Sequence, residues 1–278
     1  MICQIGDAKI YYEEVGNGKP ILMIHGFSLD HKVMAGCMEP LFQKETGYKR
    51  IYMDLPGMGK SNAPESVGNT DQMLDIVISF IQRTIPDKNF LLAGQSYGGY
   101  LARGVVYRLK ERVDGMCLIC PVVIADKELR NVPAHIMLIR NMDILSSLTM
   151  DEAKEFNWSP VIANGYTWKR CKNEVFPGLK IADKSFIERI EQNYSYSFDV
   201  DEKSRAEFEK PVLLLSGHQD DCVGYQDLWR IVGNYPRATF ATLDVAGHSL
   251  QIEQPELFNN LVRNWLERVE IDSKHKLE

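Results

Sequence analysis

Short apolar runs alternate along the chain with longer stretches of helical spacing. Pro20-Ile-Leu-Met-Ile-His-Gly26, Arg50-Ile-Tyr-Met-Asp54, Phe90-Leu-Leu-Ala-Gly94, the Met116–Ile124 run and Pro211-Val-Leu-Leu-Leu-Ser-Gly217 are near-continuous rather than alternating. Such runs belong to strands covered on both faces, as in a parallel sheet. Lys9–Glu14 and Ala238–Asp244 read as further strands. Between them, Asp71–Arg83 sets Met73, Ile76, Val77 and Phe80 on one stripe. Tyr100–Arg112 has similar spacing, and Pro255–Val269 turns Leu257, Leu261, Trp265 and Leu266 or Val269 inward. Alternating strands and helices predict an α/β sheet with crossover connections.

The rhythm breaks between Asp126 and Glu209. That stretch has few strand-like runs and is rich in aromatics: Trp158, Tyr166, Trp168, Phe176, Tyr194 and Tyr196. A structureless loop of that length is implausible inside a compact domain, so the stretch predicts an inserted helical subdomain. The expected organisation is a core in two parts, residues 1–125 and 210–272, around an insertion at 126–209. Residues 273–278 read as a terminal tail or appended remnant outside the fold.

Composition narrows the function. A chain of 278 residues with 45% hydrophobic and 25% charged residues is an ordinary globular protein. At this length a core with an enclosed site is within reach. Its 38 acidic against 32 basic residues give a net charge of −6. With no basic run, no nucleic-acid partner is expected. No apolar stretch reaches the roughly 18 residues of a membrane span.

The chain has six cysteines, Cys3, Cys37, Cys117, Cys120, Cys171 and Cys222. Cys117 and Cys120 have the CxxC spacing of redox and zinc sites but sit inside an apolar run. On a strand they would face opposite sides, as two small core side chains. With no disulfide framework evident, a reducing, cytoplasmic location is expected.

Gly94-Gln95-Ser96-Tyr97-Gly98 is a GxSxG motif. One such match arises by accident in a chain of this length with a probability of roughly 0.1, so its setting matters more than its letters. It follows an apolar strand and opens a helical stretch, the strand–turn–helix context of a nucleophile elbow. A sharp turn lifts the hydroxyl above the sheet, and glycines at 94 and 98 remove the clashes that such a turn creates.

A serine hydroxyl needs a base. Of six histidines, His248 lies between the last strand and the last helix, at the sheet edge where sites assemble. His25, His31, His135, His218 and His275 lack that placement. The base in turn needs a carboxylate to hold its tautomer. Asp220 lies just past the Pro211–Gly217 strand, with Asp221 and Asp126 as alternatives.

The order Ser96, Asp220, His248 is that of the α/β-hydrolase triad. The chain resembles the α/β-hydrolase fold superfamily almost end to end. The resemblance runs through His25-Gly26-Phe27, Asp54-Leu-Pro-Gly57-Met-Gly59-Lys-Ser61, the Gly94–Gly98 elbow, Gly217-xx-Asp220 and Gly247-His248. It implies about eight mostly parallel strands flanked by helices, with the 126–209 insertion as a helical cap over the site. It also implies an oxyanion hole built from the backbone N–H groups of Phe27 and Tyr97, with His25 structural and the Asp54–Ser61 segment a turn.

Other chemistries fit less well. The P-loop pattern needs glycine where Asp54 stands, no GxGxxG follows a strand, and HExxH is absent. No cofactor or metal is therefore expected. Dehalogenases and epoxide hydrolases of the same fold carry aspartate at the elbow, where this chain has Ser96. The expectation is a serine hydrolase, carboxylesterase-like, cleaving an ester-like or other acyl bond of a small, fairly apolar molecule. C–C bond hydrolysis, perhydrolysis, acyl transfer and a small-molecule receptor with a vestigial triad are the alternatives, since fold does not decide among them.

Overall fold

The computed structural model describes residues 1–43, 47–156, 160–202 and 207–275. The strands are β1 (Ile2–Ile5), β2 (Ala8–Val15), β3 (Lys19–Ile24), β4 (Tyr48–Met53), β5 (Phe90–Gln95), β6 (Val113–Ile119), β7 (Ile139–Arg140), β8 (Ile162–Ala163), β9 (Val212–Gly217) and β10 (Ala238–Leu243). All but β7 and β8 form one eight-stranded sheet in the order β1-β2-β4-β3-β5-β6-β9-β10. It is antiparallel at β1/β2 and β2/β4 and parallel elsewhere. Every residue of β5 and β9 is buried, as continuous apolar runs demand of strands covered on both faces.

Helices cover the sheet. α1 (Lys32–Phe42), α2 (Thr70–Thr84) and α3 (Tyr97–Leu109) lie within the first part of the core. α2 buries Met73, Ile76, Val77 and Phe80 as their spacing predicts, and Asn69 caps it by accepting the Gln72 N–H. Between β6 and β9 lie α4 (Met142–Ser147), α5 (Met150–Phe156), α6 (Gly165–Glu174), α7 (Phe176–Ile181) and α8 (Lys184–Glu191). The second part of the core holds α9 (Tyr225–Arg230), α10 (Leu250–Glu253) and α11 (Pro255–His275). No helix among the described residues is long and apolar enough to cross a membrane.

Four local expectations are corrected. The Met116–Ile124 run is a strand only to Ile119; Cys120 leaves the strand with φ 42° and the chain stays buried as far as Val122. Cys117 and Cys120 therefore do not share one strand. In α11 the buried stripe is Phe258, Val262, Trp265, Leu266 and Val269, and Leu257 is 49% exposed. Phe258 wins because it lies in register with Val262 and Trp265 on the 3.6-residue repeat. Finally, α11 runs past Val269 into the expected tail. Ser273 Oγ donates to the Val269 carbonyl, and Lys19 Nζ donates to Ser273 Oγ, so this turn is tied to the core. The last tail residues, 276–278, lie outside the described residues, as does Trp158.

The aromatics of the 126–209 segment divide by role. Trp168 packs on Phe156 and Phe176 in a small separate core. Tyr166 is about half exposed, at 48%. Tyr194 and Tyr196 pack instead on Tyr97 and Tyr100 of α3.

Candidate active site

Ser96 stands between β5 and α3 with φ 54°, a conformation that costs a side-chain-bearing residue energy and is held by its surroundings. Its N–H donates to the Ile119 carbonyl at 2.9 Å, and its own carbonyl accepts from Val122 at 3.1 Å. The flanking glycines let backbones meet. A Cβ on Gly94 would collide with the Gly98 carbonyl, and one on Gly98 with the carbonyls of Ile24 and His25. The turn is thereby wedged against β3.

His248 and Asp220 come to the same edge. Ser96 Oγ lies 2.9 Å from His248 Nε2, and His248 Nδ1 lies 2.9 Å from Asp220 Oδ2. The carboxylate accepts the Nδ1 proton, which leaves Nε2 free to accept from Ser96. Asp220 is fully buried, and its other oxygen accepts the N–H groups of Cys222 (2.9 Å) and Val223 (3.0 Å). Burial would raise its pKa; the His248 charge and these hydrogen bonds outweigh that and hold it below the usual carboxylate value. Burial likewise pulls the imidazole down, but the Asp220 carboxylate, aided by the Cys222 thiol, holds His248 well above the ordinary histidine value.

The alternative acids are engaged elsewhere. Asp221 pairs with His135 at 2.8 Å, and Asp126 caps a short turn by accepting the Glu128 N–H. Of the other histidines, His31 bonds Asp54 and His218 stacks on Tyr225.

His25 orients the loop opposite Ser96. Its Nε2 accepts the Leu55 N–H at 2.9 Å, so Nδ1 carries the proton and donates to the Gly26 carbonyl at 2.7 Å. Burial pushes its pKa below the ordinary histidine value, against the pull of the Asp54 charge. With the Gly26 carbonyl drawn to one side, the N–H of Phe27 in the same trans peptide points to the other. Neither the Phe27 nor the Tyr97 N–H meets an acceptor among the described residues. Asp54 accepts the N–H groups of His31 and Lys60, and its carbonyl accepts Ser61 Oγ–H, so that segment is a closed turn.

A cavity of about 200 Å³ opens over Ser96 and His248. Phe27, Leu29, Val33, Val175, Leu179 and Tyr194 give it an apolar wall. Cys120 Sγ, an Asp220 oxygen and an His248 nitrogen lie within 4.8 Å of one another, a ligand set that suits a soft metal by composition. Both carboxylate oxygens and both ring nitrogens are already spent on hydrogen bonds. Sequence reasoning missed Gln95, Cys222, Gln251 and Glu253 around this site. Only their closeness to Ser96, Asp220 and His248 in the chain could have signalled them.

A sequence profile of the alpha/beta hydrolase fold matches residues 19–255. The chain therefore belongs to the α/β-hydrolase family. It is 24% identical over 257 residues to the AB hydrolase superfamily protein YisY of Bacillus subtilis, covering 91% of this chain and 93% of that protein. It is 23% identical over 271 residues to a 2-hydroxy-6-oxononadienedioate/2-hydroxy-6-oxononatrienedioate hydrolase of Burkholderia vietnamiensis, covering 94% and 92%. Among solved structures, an alpha/beta superfamily hydrolase from Oenococcus oeni PSU-1 superposes with TM-score 0.87 at 33% identity, covering 95% of this chain and 97% of the other.

Proposed function

We propose that this chain is a serine hydrolase that cleaves an ester-like or other acyl bond of a small, fairly apolar molecule. The carrying observation is the unbroken hydrogen-bonded line Ser96 Oγ–His248 Nε2 and His248 Nδ1–Asp220 Oδ2, each 2.9 Å, at the wall of an apolar cavity. Ser96 Oγ attacks the substrate carbonyl carbon while His248 Nε2 takes the hydroxyl proton. The oxygen of the tetrahedral intermediate is received by the N–H groups of Phe27 and Tyr97, which have no other acceptor to give up among the described residues. His248 returns the proton to the leaving group, and the C–O bond of the ester breaks. Water then gives a proton to His248 and attacks the acyl carbon; the bond from that carbon to Oγ breaks, His248 hands its proton to Oγ, and the acid leaves with Ser96 restored. Asp220 holds the imidazole in the tautomer this requires. Residues 126–209 act as the cap, contributing Val175, Leu179 and Tyr194 to the apolar wall. The six unpaired cysteines support a reducing, cytoplasmic location.

A fluorophosphonate probe tests the reading. Wild-type protein labels at Ser96 and Ser96→Ala does not, with kcat on p-nitrophenyl esters falling by roughly 10⁶ in the variant. Absence of label on the folded wild type would reject a live nucleophile and leave a binding role.

A further inference from the structure

We propose that Gln95 and Gln251 form a subsite for a neutral hydrogen-bonding group, a hydroxyl or an amide, on the small substrate that is cleaved at Ser96. This inference rests on the serine-hydrolase reading and deepens it. Gln95 closes β5 and directly precedes Ser96; Gln251 lies in α10, three positions after His248. Each is 2% exposed, and both line the cavity that holds Ser96 and His248.

Their hydrogen bonding is incomplete in a way that stands out. Among the described residues, the buried side-chain atoms without a hydrogen-bond partner are Gln95 Oε1, Gln251 Oε1, Arg103 Nε, Arg189 Nε, Asp227 Oδ1 (ion-paired with Arg230 at 3.4 Å) and Arg268 Nε. Arg103 donates through both terminal nitrogens, to Val122 and Asp201. Arg189 donates to the Pro64 carbonyl, and Arg268 to those of Arg237 and Val212. Asp227 accepts the Asn131 N–H. These four are anchored side chains with one atom to spare. The two glutamines have no such anchor, and they converge on one cavity. A buried amide left unpaired weakens the fold, so a native protein keeps it where a ligand completes it.

The charges on the cavity wall are already engaged. Lys127 Nζ pairs with Glu191 at 3.0 Å, and Asp221 with His135 at 2.8 Å. Arg130 donates to the carbonyls of Ile124, Ala125 and Cys222. The polarity still open beside the nucleophile is carboxamide: neutral, and able to give and take a hydrogen bond. Gln95 packs on Gly26, where a Cβ would collide with its Oε1, so its carboxamide lies against the residue that precedes Phe27. A cavity of about 200 Å³ suits a small ester.

Two matched pairs of methyl esters test the subsite. Methyl 3-hydroxybutanoate against methyl 3-methylbutanoate exchanges a hydroxyl for a methyl group. Methyl N-acetylglycinate against methyl 4-oxopentanoate exchanges an N–H for a methylene. The expected result is that wild type hydrolyses the member bearing the O–H or N–H donor of at least one pair with kcat/KM about tenfold higher or more. In Gln95→Leu and Gln251→Met, checked separately for folding by thermal melting, that ratio falls below about threefold. Neither melting temperature drops, because no internal hydrogen bond is lost. Ratios within about threefold for both pairs in wild type, or a preference that survives in both variants, would overturn the proposal. Calorimetric titration of Ser96→Ala with the same four esters reads the subsite without chemistry. Selective binding there by a protein whose wild type fails to label with fluorophosphonate would keep the subsite and remove the hydrolase reading.

Discussion

Glu253 accepts the backbone N–H of Gly247 at 2.7 Å, and its second oxygen accepts the N–H of Val161 at 2.6 Å and of Ile162 at 3.4 Å. One carboxylate, only 6% exposed, thus ties the turn that carries His248 to the strand β8 region of the insertion. Burial pushes its pKa up, and the three N–H donors act against that. Glu253→Gln puts an NH₂ group against a backbone N–H and leaves one donor unpaired. The expected loss is about 1–3 kcal/mol in chemical denaturation, with kcat down by between about tenfold and hundredfold from a displaced imidazole. KM should change little, because Glu253 does not line the cavity. A rise in KM at constant kcat would show that its role is to shape the pocket instead.

The raised His248 pKa sets the direction of the pH profile. The proton-accepting imidazole appears only as pH rises through its value in the folded protein, so the acid limb of kcat/KM has its midpoint above 6.5. Asp220→Asn removes the main upward push. Its limb moves to lower pH, and kcat falls by about 10⁴. Stability follows the same pair. The raised His248 pKa contributes stability that is complete below the unfolded histidine value and is lost as pH rises through the folded one. The lowered Asp220 pKa contributes stability that is complete above the unfolded value of 3.8 and is lost as pH falls through the folded one. The melting-temperature gap between wild type and Asp220→Asn is therefore widest between these unfolded values. A gap independent of pH would contradict the coupling.

Cys222 is the one exposed cysteine, and it lines the cavity beside His248. The His248 charge and hydrogen bond lower its pKa against the opposing effect of burial. Burial pushes Cys117, Cys120 and Cys171 up to about 12. Iodoacetamide should therefore alkylate Cys222 first, and the added group should block the cavity and abolish ester turnover. Cys222→Ser should keep its activity under the same treatment. Peptide mass mapping with the alkyl group on another cysteine at the point of inactivation would refute this.

The framework was legible because buried parallel strands announce themselves as continuous apolar runs, and β3, β5 and β9 fall where the runs lie. β1 was not legible: it is four residues long and only Cys3 and Ile5 face inward. β7 and β8, two residues each, leave no pattern at all. The end of β6 misled because chain passing beneath the site stays apolar after it stops pairing. Ser96, Asp220 and His248 could be picked out because each sits at the carboxyl end of a recognisable strand. Gln95, Gln251 and Glu253 could not, since whether a side chain is paired or unpaired depends on what other segments bring to it.

The glycines around the elbow differ in what they can yield, and two alanine substitutions should separate them. In Gly98→Ala the new Cβ meets backbone carbonyls of Ile24 and His25, which belong to β3 and the loop after it. Those atoms cannot move without opening the sheet, so the variant should lose at least about 1–3 kcal/mol. In Gly26→Ala the Cβ meets the end of the Gln95 side chain, and Ser96 Cβ at 3.2 Å. A carboxamide can swing away, so stability should fall by less than about 1 kcal/mol. The swing displaces a group packed on the residue before Phe27 and beside Ser96, however, and kcat should drop by about tenfold or more. Denaturant midpoints and ester kinetics on both variants decide the matter. Equal stability losses in the two, or a Gly26→Ala enzyme with unaltered kcat, would show that the loop and the elbow are not packed as described.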